Sequence, residues 1–280
     1  MQPENIYPEK GKALFDLHHN GKLLVLPNVW DSLSASIIEK SGYPAVATSS
    51  SATALSNGYP DGEKLPFTQL LSVLRNITER VEVPVTADVE SAYANNNTTL
   101  VENIKRLIST GIAGINFEDS YPGKESLISA YEQCERISLI KKTSSEMGMP
   151  LFINARIDLY IKGGSLSQEE KLSQTIERGK AYKEAGADCL FPIFLKDKED
   201  IQTIIKEVKL PVNILLVQDI PDFNGLREAG VARLSLGGNF IKIAINALKN
   251  TAEKLLRLDE ADDITHTPIS SDYTKSLSKK

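Results

Sequence analysis

The chain is poor in the residues that mark several common protein classes. Only two cysteines occur in its 280 residues, Cys134 and Cys189, each among apolar neighbours and without metal-ligand spacing. They read as reduced core thiols and point to a cytoplasmic protein. Histidine is scarce too, and His18, His19 and His266 lie far in sequence from the strand-end acids considered below, which makes histidine acid–base chemistry the least favoured mechanism. No apolar run approaches the length of a membrane span. The first twelve residues, with Pro3 and Pro8, lack the apolar centre of a secretion signal. There is no basic excess: a net charge of −5 and a pI near 5.4 argue against nucleic acid or an anionic membrane as the main partner. Neither a Gly-x-Gly-x-x-Gly turn nor a Walker loop is present. Small-molecule chemistry remains, on a chain long enough for one large core.

What is present is a repeated alternation. Apolar segments of strand length recur at 23–26, 45–48, 83–87, 114–117, 151–155, 188–192, 212–217 and 232–236. Between them lie helical faces such as Leu70, Leu74, Ile77 and Leu100, Ile104, Leu107, Ile108. Thr99 with Glu102 offers a capping box, and Gly42, Gly111, Gly186 and Gly230 close helices just before strands. Eight βα units in about 250 residues predict an α/β fold of the (β/α)8 TIM-barrel type rather than an open doubly wound sheet. One domain is expected over 1–258, with 259–280 as a polar C-terminal tail.

In such a fold, reacting residues gather where strands end. Val85-Thr86-Ala87-Asp88-Val89-Glu90 runs into two carboxylates two residues apart, which share one face if the extended conformation persists through both. Two like charges on one face suit a divalent cation with hard oxygen ligands, Mg²⁺ above all, with Mn²⁺ as a substitute. They equally suit a solvated strand end or a helix cap. Other strands end in Ser49 to Ser51, in Glu118 and Asp119, and in Arg156 and Asp158. The serines also fit an ordinary capping loop, Asp61 a Pro-Asp-Gly turn, and Arg156 an ion pair with Asp158 or Glu118. Tyr93, just past the acids, is placed to line a pocket.

Taken together, Asp31-Ser32-Leu33-Ser34-Ala35, Ala47-Thr48-Ser49-Ser50-Ser51, Gly58-Tyr59-Pro60-Asp61-Gly62-Glu63, Ala87-Asp88-Val89-Glu90, Asn116-Phe117-Glu118-Asp119 and Asn154-Ala155-Arg156-Ile157-Asp158 resemble, in this order, the phosphoenolpyruvate mutase and isocitrate lyase superfamily. The resemblance runs from about Leu24 to Leu256 and implies Mg²⁺ held directly by Asp88, with Asp61, Glu90 and Glu118 acting largely through water. It implies a small anionic 2-oxo carboxylate as substrate, its carboxylate on backbone N–H groups around Ser49, Ser50 and Ser51, its remaining charge met by Arg156, and a pyruvate enolate stabilised by the metal. Asn239, at the last strand's end, joins the expected substrate contacts.

The loop 120–127 lacks the Lys-Lys-Cys-Gly-His motif of isocitrate-type lyases, and Ser91, Ala92 and Ala94 stand where the family usually has glycines. Lys124 is the one candidate catalytic side chain in that loop. The expected reaction is Mg²⁺-dependent cleavage of a carbon–carbon bond in a small 2-oxo or 2-hydroxy dicarboxylate, by a lyase or decarboxylase. The alternatives are phosphonopyruvate carbon–phosphorus chemistry, a methylisocitrate lyase-like enzyme, or a non-catalytic ligand-binding barrel. The helix from Asn239, apolar on most sides, predicts a homodimer or homotetramer, with that helix exchanged or packed between subunits.

Overall fold

The computed structural model describes residues 6–258, 262–266 and 268–278. Its strands are β1 (Leu24–Leu26), β2 (Asn28–Val29), β3 (Val46–Thr48), β4 (Val85–Asp88), β5 (Gly114–Glu118), β6 (Phe152–Ile157), β7 (Cys189–Pro192), β8 (Asn213–Leu215) and β9 (Arg233–Ser235). All pairings are parallel, in two sheets ordered β2-β3-β4-β5-β6-β7 and β1-β9-β8. Each apolar segment expected from the sequence carries a strand.

The first of those segments is divided. Pro27 separates β1 from β2 and has no N–H to give a ladder, so β1 pairs with β9 whereas β2 pairs with β3. The Asn28 side chain spans the division. Its Oδ1 accepts the N–H groups of Leu236 and Gly237, each at 2.8 Å, and its Nδ2 donates to the Thr48 carbonyl at 2.7 Å. On the other flank a parallel bridge joins Leu190 to Val212.

The helices cover the sheets with the expected faces: Leu70, Leu74 and Ile77 are buried from Phe67–Thr78, and Leu100, Ile104, Leu107 and Ile108 from Asn97–Ile108. The second helix begins ahead of the expected capping box, because the Asn96 carboxamide accepts the Thr99 N–H and asparagine caps as well as a hydroxyl does. A smaller core of Leu14, Leu24, Leu26, Ala45, Ala47, Ala113, Phe152 and Cys189 joins the first helix, Ile6–His19, to the strands. Gly114 makes room there, since a Cβ at that position would lie 2.9 Å from Leu14 Cδ2 and 2.8 Å from the Phe152 carbonyl. In the segment expected as a polar tail, Ser271–Ser278 is helical, Leu277 is buried, and Arg80 donates to the Leu277 carbonyl. No helix among the described residues is long and apolar enough to cross a membrane.

Candidate active site

Ser49 to Ser51, Asp88, Glu118 and Arg156 lie at the carboxyl ends of β3 to β6. Asp88 closes β4, its N–H donating to Thr48 Oγ1 at 2.9 Å and its Oδ2 accepting the Ser50 N–H at 3.0 Å. Burial holds its carboxyl above the usual carboxylate range against the pull of Arg156 and the Ser50 hydrogen bond. Glu90 reaches the same site by a route that strand alternation does not describe. The strand stops at Asp88, and Glu90 has φ 53°, a left-handed turn that brings its side chain in beside Asp88. Burial first, then Glu118 and Asp88, push its carboxyl up to about 9.

Glu118 ends β5 directly across from Arg156 on β6, which are Cα partners in the ladder. Arg156 Nη1 lies 2.8 Å from Glu118 Oε2, and its Nε donates to Asp158 Oδ1 at 2.6 Å. Ser120 Oγ donates to Asp158 Oδ2 at 2.6 Å and lies 3.2 Å from Glu118 Oε1. Burial raises Glu118 more than Arg156 lowers it, with Asp158 and Asp88 adding to the rise. For Arg156 burial disfavours the charge, but Glu118, Asp158 and Asp88 outweigh it and hold the guanidinium firmly protonated. The ion network that the sequence allowed is therefore present.

Behind it, Asp119 is fully buried and joins three elements: it accepts from the Asp158 N–H at 2.9 Å, from Tyr182 at 2.8 Å and from Arg178 at 3.1 Å. Burial raises its carboxyl to about 6 despite these partners.

The serine turn is partly committed. The Ser49 N–H donates to the Val29 carbonyl at 3.3 Å, the Ser50 N–H to Asp88, and Ser49 Oγ accepts from the Ala52 N–H while lying 3.0 Å from Ser51 Oγ. The Ser51 N–H, in the first turn of the helix Ser50–Ser56, has no carbonyl ahead of it in that helix. Asp61 is exposed at the rim and raises the carboxyls of both Asp88 and Glu90. Asn239 begins the helix Asn239–Leu256, its Nδ2 donating to the Leu216 carbonyl at 2.9 Å. Lys124 is not brought against the acids. It is exposed, its Nζ 5.6 Å from the Tyr121 ring centre, and it borders a cavity of about 490 Å³ lined also by Glu63, Lys64, Ser91, Tyr93 and Tyr121.

Sequence reasoning passed over two side chains near the acids. Glu63 reads as one more acid in a turn, because its partners lie 28 and 30 residues further on. Arg233 reads as a strand residue, yet it is fully buried, bonded to Ser235 at 3.1 Å and Asn116 at 3.4 Å, and its Nη1 has no partner. Burial lowers its guanidinium to about 10.

Residues 14–256 match the family described as phosphoenolpyruvate phosphomutase. A Mycobacterium tuberculosis protein of uncharacterised function is 32% identical over 225 residues, 80% of this chain and 81% of its own length. A solved structure from Burkholderia cenocepacia J2315, provisionally titled a phosphonomutase, is 34% identical with a TM-score of 0.85, covering 89% of this chain and 99% of that one. A phosphonopyruvate hydrolase solved with oxalate and Mg²⁺ shares the fold at a TM-score of 0.82, covering 96% and 94% of the two chains, with 22% identity. Named homologues include both lyases and mutases. With its acids and arginine at successive strand ends and this match across nearly its whole length, the chain belongs to the phosphoenolpyruvate mutase/isocitrate lyase superfamily.

Proposed function

We propose that this chain is a Mg²⁺-dependent lyase or decarboxylase that breaks a carbon–carbon bond in a small 2-oxo or 2-hydroxy dicarboxylate and releases a pyruvate-like product. The observation that carries the proposal is the group of half-buried Asp88 with buried Glu90 and Glu118: Asp88 raises the proton affinity of both glutamates, Glu118 also raises that of Glu90, and Arg156 pairs with Glu118 beside them. Carboxylates held this close favour either protonation or a cation between them. The donors are all hard oxygens, with no thiol or imidazole, which suits Mg²⁺ and, as a substitute, Mn²⁺. Among the described residues no three acidic, histidine or cysteine side chains close into a preformed cage. Mg²⁺ keeps several of its waters and needs no such cage. The fold relative solved with oxalate and Mg²⁺ supports the same assignment.

In this reading Asp88 would hold the metal directly, and Glu90, Glu118 and Asp61 would act through its waters. Bound Mg²⁺ supplies Lewis-acid polarisation of a 2-oxo acid and offsets the negative charge that develops on its oxygen. The Ser51 N–H, with the Ser49 and Ser51 hydroxyls, receives the substrate carboxylate, while Ser50 keeps Asp88 oriented. Arg156, aimed by Glu118 and Asp158, neutralises the second anionic group. Lys124 and Asn239 are proposed as further substrate contacts, Lys124 from the cavity it borders and Asn239 from the start of the helix Asn239–Leu256. Decarboxylation fits a site whose neighbouring loop offers no cysteine or histidine as a separate acid or base. The two sheets are taken to close as one barrel about this site, in a homodimer or homotetramer joined through the apolar helix Asn239–Leu256.

A second reading, carbon–phosphorus chemistry on phosphonopyruvate, is favoured by Lys124 at the cavity edge. One assay set decides among these readings: pyruvate release, with and without Mg²⁺, from oxaloacetate, methylisocitrate, dimethylmalate and phosphonopyruvate, with phosphoenolpyruvate formation also followed in the phosphonopyruvate sample, because a mutase rearranges that compound without releasing pyruvate. Metal-dependent release from one compound, abolished in Asp88→Ala, is the expected result. Turnover at the wild-type rate in Asp88→Ala with metal present refutes the metal assignment, and silence across the panel favours a binding barrel.

A further inference from the structure

Three residues just beyond β4 hold left-handed backbone, Glu90 at φ 53°, Ala92 at 61° and Tyr93 at 54°, and none is glycine. L-residues take this conformation at a cost in free energy, so it persists only where surrounding contacts over-determine it. Here one carboxylate oxygen does most of that. Glu63 Oε1 accepts the Ser91 N–H at 3.0 Å, the Ser91 hydroxyl at 2.7 Å and the Tyr93 N–H at 2.8 Å. The Glu63 N–H in turn donates to Glu90 Oε1 at 3.0 Å, so the same residue holds both the turn and the carboxylate that the turn delivers. Arg136 Nη2 secures the outer side through the Ser91 carbonyl at 2.7 Å and the Ala94 carbonyl at 3.2 Å, and Asn103 Nδ2 donates to the carbonyls of Ala92 and Tyr93 at 3.0 Å each.

We propose that Glu63 is a positioning residue for the acid pair: its carboxylate clamps the 90–93 turn in a conformation that glycines would adopt freely, and thereby sets Glu90 beside Asp88. The consequence for catalysis rests on reading those acids as the Mg²⁺ site, whereas the clamp itself does not. A carboxylate is required because three converging donors are best matched by a charged acceptor. Aspartate would be one methylene too short to reach them. Glutamine keeps the shape and one accepting oxygen but loses the charge.

The test combines Glu63→Ala, Glu63→Gln and the double variant Glu63→Ala with Ala92→Gly, using two readouts. Amide hydrogen exchange at Ser91 and Tyr93, measured in metal-free protein, reports the clamp. Calorimetric titration with Mg²⁺ reports its consequence. The clamp predicts lost protection at both amides in Glu63→Ala and Mg²⁺ affinity about 10- to 100-fold weaker, the range typical of residues that orient metal ligands. Glu63→Gln should fall between, and it serves alone if Glu63→Ala does not fold. Adding Ala92→Gly should recover at least half of the lost affinity on a logarithmic scale, because glycine lowers the cost of the left-handed turn. Protection unchanged at Ser91 and Tyr93 would overturn the clamp. An affinity loss that Ala92→Gly leaves untouched would also overturn it, since Glu63 would then act on the metal rather than through the turn. Wild-type protein that binds no Mg²⁺ refutes the metal reading, while the exchange data still decide the clamp.

Discussion

The acid cluster makes the metal-free protein lose stability as pH rises, against the usual trend for a protein with ion-paired carboxylates. Glu90 moves from 4.5 to about 9 on folding, so between those values the folded chain binds a proton that the unfolded chain does not. Stability then falls as pH rises, beginning near 4.5 and levelling off above about 9. One proton corresponds to about 1.4 kcal/mol per pH unit, so from about pH 7 to about pH 8.5 Glu90 alone costs about 2 kcal/mol. Glu118, raised by the same burial, adds in the same direction. The window is clean on its acid side: His18, lowered to about 3, acts only below its ordinary 6.5, and Asp119, raised to about 6, acts only below that value. Urea unfolding of EDTA-treated protein, followed by circular dichroism at several pH values across this range, measures the slope. Saturating Mg²⁺ should offset the loss, because it binds the deprotonated acids, and Glu90→Gln should make the slope shallower, leaving the part that Glu118 contributes. Stability that is flat or rising over this range in the metal-free protein would show that Glu90 is ionised in the fold and refute the reasoning.

Other outcomes follow from single contacts. Asp119→Ala leaves the Arg178 guanidinium without its ion-pair partner and frees the Asp158 N–H, and should cost about 3–5 kcal/mol in chemical denaturation; a loss below about 1 kcal/mol would deny the network its role in tying β5 to β6. Arg233→Met removes a buried charge with an unpartnered Nη1, and should leave the protein as stable or more stable in a thermal melt; a drop of several degrees would contradict it. The helix Asn239–Leu256 exposes Ile243, at 66%, and Leu248, at 73%, so wild-type protein should scatter light as a dimer or tetramer and Ile243→Asp with Leu248→Asp as a monomer. A monomeric wild type at micromolar concentration would refute the interface.

Much of this molecule is legible one residue at a time. Period-3.6 faces such as Leu70, Leu74 and Ile77, and the runs of apolar residues that fill the strands, follow from local burial and backbone preference, which the sequence alone encodes. The four helix-ending glycines, Gly42, Gly111, Gly186 and Gly230, adopt positive φ for the same local reason. The order of Asp88, Glu118 and Arg156 along the chain was likewise readable, because strand ends are places in the sequence before they are places in space.

Contacts between distant segments were not readable. Asp88 and Glu90 were expected side by side through strand alternation, yet the strand ends at Asp88 and a left-handed turn delivers Glu90, held by Glu63 from 27 residues earlier. The division of the first strand at Pro27 matters only because β9 and β3 lie on either side of it, with Asn28 bonded to both flanks. Sequence determined which residues could be buried, turned or charged. Tertiary structure alone decided which of them meet, because a hydrogen bond or a pair of charges depends on separation in space, and separation along the chain does not fix that.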